Sequence, residues 1–292
     1  MEIEGRVALV TGAGGGLGRV HAHLLARHGA RVVVNDLGDA AETVVAEIIA
    51  AGGQAFAAKG SVTDEAQVAA TIEGTLDRWG RVDILVNNAG ILRDKSFAKM
   101  SLDDFRTVLD VHLMGAVICT KAVWETMRTQ NYGRIVMTTS SSGLYGSFGQ
   151  ANYSAAKMAL VGLMQTLALE GAKYDIRVNC LAPTASTGMV EGILPDDMQA
   201  LLQPELVSPA LLALVGKDAP TRAILTAGAG HFASAYVTLT QGMTIGQGPD
   251  AANDIVSNWS QIAARAGEIV PGYGRVQAER ELANAGYKLE LP

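Results

Sequence analysis

Short β-branched runs that alternate with long stretches of helical spacing narrow the fold of this chain more than any other feature. Runs at 7–10, 31–35, 55–57, 82–86, 134–138 and 176–181 read as strands, with a further strand expected at 223–226. Between them, 17–28, 40–51, 64–79, 102–129 and 151–173 carry apolar residues at helical spacing. Strands that are apolar on both faces need helices on both sides. This pattern predicts an α/β fold, a doubly wound parallel sheet of about seven strands. Segment 185–215, rich in Leu, Met and Pro, interrupts the alternation and is expected to form a substrate lid within a domain spanning 1–248. A helical tail at 249–292 follows, with Ile255, Trp259 and Ile262 on one helical face.

Composition removes several classes. Hydrophobic residues are 49% and charged residues 18%, which excludes a disordered chain. The 23 Lys and Arg against 29 Asp and Glu give a net charge of −6, the wrong sign for a phosphate-backbone binder, so no nucleic acid partner is expected. No apolar run approaches the ~18 residues of a membrane span. The start has no basic leader and the end, Leu289-Glu290-Leu291-Pro292, is no peroxisomal address, which predicts a cytoplasmic protein. Cys119 and Cys180 each sit in an apolar segment and read as core thiols. His21, His23, His28 and His231 have no metal-ligand spacing, so no metal is expected.

Thr11-Gly12-Ala13-Gly14-Gly15-Gly16-Leu17-Gly18 follows the first strand directly and opens a helix. Glycines let the backbone approach a pyrophosphate, and the helix N-terminus favours its charge, as in Rossmann-type sheets. Gly12, Gly16, Leu17 and Gly18 are therefore candidate cofactor contacts. Asp36 ends the second strand, where a carboxylate accepts from ribose hydroxyls and repels a 2′-phosphate. With Leu37 and Gly38 beside it and no cation, NAD is favoured over NADP.

Tyr153 and Lys157 share one face at the start of an Ala-rich helix, and Ser140 ends the fifth strand. A free phenol has a pKa of about 10, too high for a base near neutrality. A neighbouring ammonium should lower it and hold ribose hydroxyls as well. The three residues form a candidate catalytic set.

Together Thr11–Gly18, Asn87-Asn88-Ala89-Gly90, Ser140 and Tyr153-Ser154-Ala155-Ala156-Lys157 resemble the short-chain dehydrogenase/reductase family over about residues 5–245. The resemblance implies Tyr153 as acid/base, Lys157 as its modulator and ribose ligand, and Ser140 as the donor that orients the carbonyl. It also implies that Asn88, Ala89 and Gly90 steady the sheet beside the cofactor. A narrower similarity, carried by 33–38, 88–97 and 145–153, is to the (3R)-hydroxyacyl-CoA dehydrogenase domains of multifunctional enzymes. Where the family usually has Asn, this chain reads Val111-His112-Leu113-Met114-Gly115. His112 is either part of a proton relay with Lys157 or an interior hydrogen-bonded histidine. Gly60-Ser61-Val62 replaces the family's Asp, so adenine contact is expected from Ser61 and the Val62 backbone. Pro183-Thr184 stands for the usual Pro-Gly, and Thr187 or Ser186 is expected to meet the carboxamide.

The expected activity is hydride transfer between NAD and a secondary alcohol or its ketone, with a hydrophobic 3-hydroxyacyl thioester as substrate. A steroid or other bulky cyclic alcohol is the alternative, and a non-catalytic NAD-binding scaffold the remote one. The helices at 102–129 and 151–173 are expected to turn Val117, Val123, Trp124, Leu160, Met164 and Leu167 outward. Those faces would form a homodimer or homotetramer interface.

Overall fold

The computed structural model describes residues 2–186 and 195–287. In chain order, β1 (Val7–Thr11) leads to α1 (Gly16–Arg27), β2 (Arg31–Asp36) to α2 (Ala40–Ala50), and β3 (Gln54–Lys59) to α3 (Glu65–Trp79). β4 (Ile84–Asn87) precedes a long helix made of α4 (Leu102–Leu109), a π-helical turn Asp110–Met114 and α5 (Gly115–Gln130). Then come β5 (Gly133–Thr138), α6 (Ser141–Tyr145), α7 (Ala151–Gly171) and β6 (Ile176–Thr184). α8 (Asp196–Leu201), α9 (Ser208–Val215), β7 (Ile224–Gly228) and β8 (His231–Ala235) complete the sheet region.

The sheet order is β3-β2-β1-β4-β5-β6-β7-β8. β1 pairs in parallel with β2 on one side and β4 on the other, Leu9 facing Val33 and Leu85. The strand order reverses there. Carboxyl ends of strands at such a switch point leave a crevice, which is where ligands bind in open α/β sheets. Strand positions agree with the alternation read from the sequence, and all of β1 and β5 is buried. β8 was not anticipated. Ala229 and Gly230 both have positive φ and turn the chain back along β7, giving an eighth strand whose residues 231–234 are exposed.

Both cysteines are buried and free. Two helical stretches, 102–130 and 197–215, reach the length and mean hydropathy of a membrane span, which single apolar runs had concealed. The first presents Val108, His112, Cys119, Val123 and Met127 as its buried stripe, as a core helix does. Of the six residues expected outward, Val117, Trp124 and Leu167 are half-exposed and the other three are not. Val123, Leu160 and Met164 are buried on the sheet side, while Met114, Met158 and Leu169 are exposed at 43%, 40% and 48%. In the expected lid, α9 is core, with Leu211, Leu214 and Val215 buried.

The chain divides into two compact units, one ending at Ser234 and one beginning at Ala235, so the boundary expected at residue 248 falls inside the second. The second unit is held by a bridge between Leu239 and Ile269 and by Arg280 donating to the Thr240 carbonyl at 2.7 Å. Its helices are α10 (Ala251–Ser257), α11 (Trp259–Ile262) and α12 (Arg275–Asn284), and none of its described residues is buried.

Candidate active site

A cleft of about 610 Å³ opens at the carboxyl ends of β1, β2, β4 and β5. Gly12, Gly16, Leu17, Asp36, Ser61, Val62, Asn88, Ala89, Gly90, His112, Ser140, Tyr153, Lys157 and Pro183 all line it. Thr187 lies outside the described residues. Gly15, Leu37, Ile91, Leu92, Val111 and Leu202 also line the cleft, without having been singled out by motif.

The floor follows from backbone geometry. Gly12 has φ +61°, and a Cβ there would stand 2.7 Å from the Cα of Ala89. Gly18 lies at the start of α1, packed against the loop. A Cβ at Gly18 would meet the Gly12 carbonyl oxygen at 2.2 Å, so this glycine lets α1 pack under the loop. Thr11 Oγ1 accepts from the N–H groups of Asn88 and Ala89 at 3.0 and 3.1 Å. Asn88 Nδ2 in turn donates to the carbonyls of Thr11 and Gly12 at 3.0 and 3.1 Å. These bonds lock the ends of β1 and β4 together, which fits the steadying expected of Asn88–Gly90.

Asp36 accepts from Gly14 N–H at 2.8 Å and from Leu37 N–H at 2.7 Å, one bond to each carboxylate oxygen. The carboxylate is thereby aimed across the glycine loop. Ser61 and Val62 form the facing wall, with Ser61 N–H donating to Gln67 Oε1 at 2.8 Å. Glycine backbone, a helix N-terminus and a fixed carboxylate are a donor set suited to a dinucleotide.

Ser140 lies two residues beyond the end of β5, not on it, and caps α6, its Oγ accepting from Ser142 N–H at 3.1 Å. Tyr153 and Lys157 project from α7 into the same space. Gly143 of α6 makes that approach possible, since a Cβ there would lie 2.7 Å from the Cβ of Lys157. Lys157 Nζ donates to the Thr138 carbonyl at 2.5 Å and lies 5.5 Å from the Tyr153 ring centre. Burial takes the Lys157 amine down to about 7. Burial also raises the Tyr153 phenol above its ordinary value, while a hydrogen bond with Ser140 opposes the rise and the Asp94 carboxylate adds to it. The expected lowering of the phenol by Lys157 is thus absent. Desolvation penalises the charged form of both groups and is the largest cause of each shift.

His112 sits in the π-helical turn, buried, with its ring edge-on to Tyr153 at 5.2 Å. Gly90 makes room, because a Cβ there would come 2.3 Å from His112 Cε1. His112 Nε2 lies 3.0 Å from the Ile91 nitrogen and 2.7 Å from the Ile91 oxygen, accepting or donating according to tautomer. Burial and the nearby Lys157 charge take its pKa down to about 3, so the ring is neutral near pH 7. Its Nδ1 is buried and without a partner among the described residues. Among the described residues no group of three or more His, Cys, Asp or Glu could hold a metal ion.

Residues 6–197 match the short chain dehydrogenase family, and the chain belongs to it. Membership of this family supports oxidoreductase chemistry with a nicotinamide cofactor. Among its relatives, the peroxisomal multifunctional enzyme type 2 of Drosophila melanogaster is 53% identical over 224 residues, 73% of this chain. The chain spans only 37% of that enzyme's length. The relative is named as peroxisomal, which does not fit the cytoplasmic expectation. A short-chain type dehydrogenase/reductase of Mycobacterium tuberculosis is 44% identical over 282 residues, 93% of this chain and 98% of that one. A solved 7α-hydroxysteroid dehydrogenase in complex with NADH and 7-oxo glycochenodeoxycholic acid superposes with a TM-score of 0.73 at 32% identity, covering 78% of this chain and 94% of that one.

Proposed function

We propose that this chain is an NAD-dependent dehydrogenase for hydrophobic secondary alcohols of the 3-hydroxyacyl thioester type, working through Tyr153, Ser140 and Lys157. The carrying observation is that these three side chains meet in one cleft with the glycine loop and Asp36. Apolar Ile91, Leu92, Val111 and Leu202 on the same cleft suit an acyl substrate. Similarity to the multifunctional enzyme supports that substrate class, and similarity to the hydroxysteroid enzyme keeps a bulky cyclic alcohol as the second reading.

Gly12, Gly15, Gly16 and Leu17 would hold the pyrophosphate, Asp36 the adenosine ribose, Ser61 and Val62 the adenine, and Pro183 the nicotinamide end. When bound, the nicotinamide supplies the two-electron acceptor for the carbinol carbon. The protein's own part is the proton. Tyr153 Oη, ionised to the phenolate before the step, takes it from the substrate hydroxyl, and Ser140 Oγ donates to the substrate oxygen as carbonyl character develops. Lys157 Nζ, whose pKa burial takes down to about 7, stabilises the phenolate when it carries its proton. His112 Nδ1, neutral and unpartnered, is the atom in place to pass a proton onward.

The decisive experiment is Tyr153→Phe, with turnover followed by absorbance of NADH over a panel of 3-hydroxyacyl thioesters and cyclic alcohols. Loss of at least about 100-fold in kcat with NADH affinity unchanged is expected, since only the proton-transfer atom is removed. Retention of turnover would remove Tyr153 from the chemistry. The same panel separates the two substrate readings.

A further inference from the structure

Asn152, the residue before Tyr153, was assigned no role by motif, yet it is fully buried and uses both ends of its amide. Its Oδ1 accepts from the Tyr153 N–H at 2.7 Å, and its Nδ2 donates to the Arg93 carbonyl at 3.1 Å. Arg93 lies in the segment that leaves β4 after Gly90, far away in the chain from α7. The same segment is tied to the start of α7 at two further points. Gln150 Nε2 donates to Asp94 Oδ2 at 2.7 Å, and Lys95 N–H donates to the Gly149 carbonyl at 2.9 Å. Its other end, Ile91, holds His112 Nε2.

The segment 91–95 therefore brackets the two rings that meet edge-on at 5.2 Å, His112 from one side and Tyr153 from the other. The Gln150 and Lys95 bonds involve exposed side chains or loop backbone, whereas Asn152 is sealed from water. A buried amide with both ends satisfied is a fixed strut, and removing it leaves a backbone carbonyl and an N–H to re-pair at a cost.

We infer that Asn152 is a positioning residue for Tyr153, a buried strut that fixes the first turn of α7 to segment 91–95 and so holds the phenol against Ser140. The inference rests on the reading of Tyr153 as the proton-transfer residue. The groups facing the phenol are Ser140, His112, Lys157 and the Asp94 carboxylate. Loosening α7 moves the phenol relative to Ser140, because Ser140 caps α6 and does not travel with α7.

The test is Asn152→Ala in the full chain, with Asn152→Ser and Tyr153→Phe alongside, assayed with NAD and a 3-hydroxybutyryl thioester. For Asn152→Ala, kcat should fall about 10- to 100-fold, the loss that a misplacement near 1 Å produces. KM for the alcohol and the dissociation constant for NADH, read by fluorescence, should stay within about twofold, since the glycine loop, Asp36, Ser61 and Val62 sit on other elements and Lys157 lies a turn further along α7. The limb of the kcat–pH profile that follows proton loss from Tyr153 should move to higher pH as the Ser140 bond weakens. Asn152→Ser keeps a short acceptor for the Tyr153 N–H and should recover part of the rate.

Parent-like kcat and pH profile in a folded Asn152→Ala overturn the inference. So does a parallel fall in kcat and NADH affinity, which marks a general collapse of the cleft. Should the alanine variant fail to fold, the serine variant decides: reduced kcat at unchanged NADH affinity supports the strut, and an unchanged kcat removes it. Tyr153→Phe separates the two levels. If that variant stays active, the reading of the site falls and the inference with it; if it is dead while Asn152→Ala is normal, the inference alone falls.

Discussion

Asp36 shows how much one side chain settles once its surroundings are fixed. Each carboxylate oxygen is engaged by a backbone N–H, from Gly14 and from Leu37, so the group cannot swing away from a 2′-phosphate. A neutral side chain there would lose hydrogen bonds to a ribose and also the repulsion of a phosphate. Asp36→Ala should weaken NAD use by about 10-fold and narrow the preference over NADP by more, because loss of a charge-assisted bond and loss of a repulsion add. Comparing kcat/KM for the two cofactors before and after the change checks this, and an unaltered ratio rejects the assignment. At this scale the meeting of Asp36, Ser140, Tyr153 and Lys157 in one cleft was legible because it follows from residue type at a fixed spacing. Asn152 was not, because its partner is the carbonyl of Arg93, a long-range contact that no spacing encodes.

Elements decide which face of a residue pattern is spent on the sheet. The π-helical turn Asp110–Met114 inserts an extra residue per turn between α4 and α5 and brings His112 inward over Gly90. Helical periodicity alone reads 102–129 as one uniform helix, and the bulge is a tertiary fit. α1 and α9 meet through a second buried histidine, His21, whose Nδ1 lies 2.8 Å from Ser208 Oγ. Burial takes the His21 pKa down to about 3, as it does for His112. The unfolded chain binds protons on both below about pH 6.5 while the native chain refuses them until about pH 3. Stability should therefore be flat in these two groups above pH 6.5 and fall as pH drops through that window, by up to about 1.4 kcal/mol per pH unit for each. His21→Leu should lower Tm at neutral pH, since Ser208 loses its partner, yet flatten the acid slope of Tm against pH. An unchanged slope would mean His21 protonates freely in the native state.

At the level of the whole molecule, two surfaces lack cover within the chain as described. Met114, Met158 and Leu169 lie outward on the long helices, and the unit from Ala235 exposes Val256 at 75% and Trp259 at 64%. Segments of that size without a buried residue do not hold an ordered fold by themselves. We propose a homodimer or homotetramer in which a second copy covers these residues. Light scattering at micromolar concentration should give a multiple of 30.5 kDa. A chain shortened after Ala235 should either dissociate or melt several degrees lower. A monomeric parent protein, or a truncated one with the same mass and Tm, rejects the corresponding half.

The sequence by itself determined the layering and the glycine loop that follows the first strand. Apolar strand runs of five or six residues have no stable place except between helices, and a glycine loop between β1 and α1 has few uses other than holding a phosphate. Those are local consequences of period, backbone freedom and side-chain type. Tertiary structure decided the rest. It assigned Val123, Leu160 and Met164 to the interior and turned Ala229–Gly230 into a hairpin that adds β8. It also raised the Tyr153 pKa instead of lowering it, by burying the phenol. Each of these depends on which atoms meet across long stretches of chain and on how much water they exclude, and neither quantity is a property of neighbouring letters in a sequence.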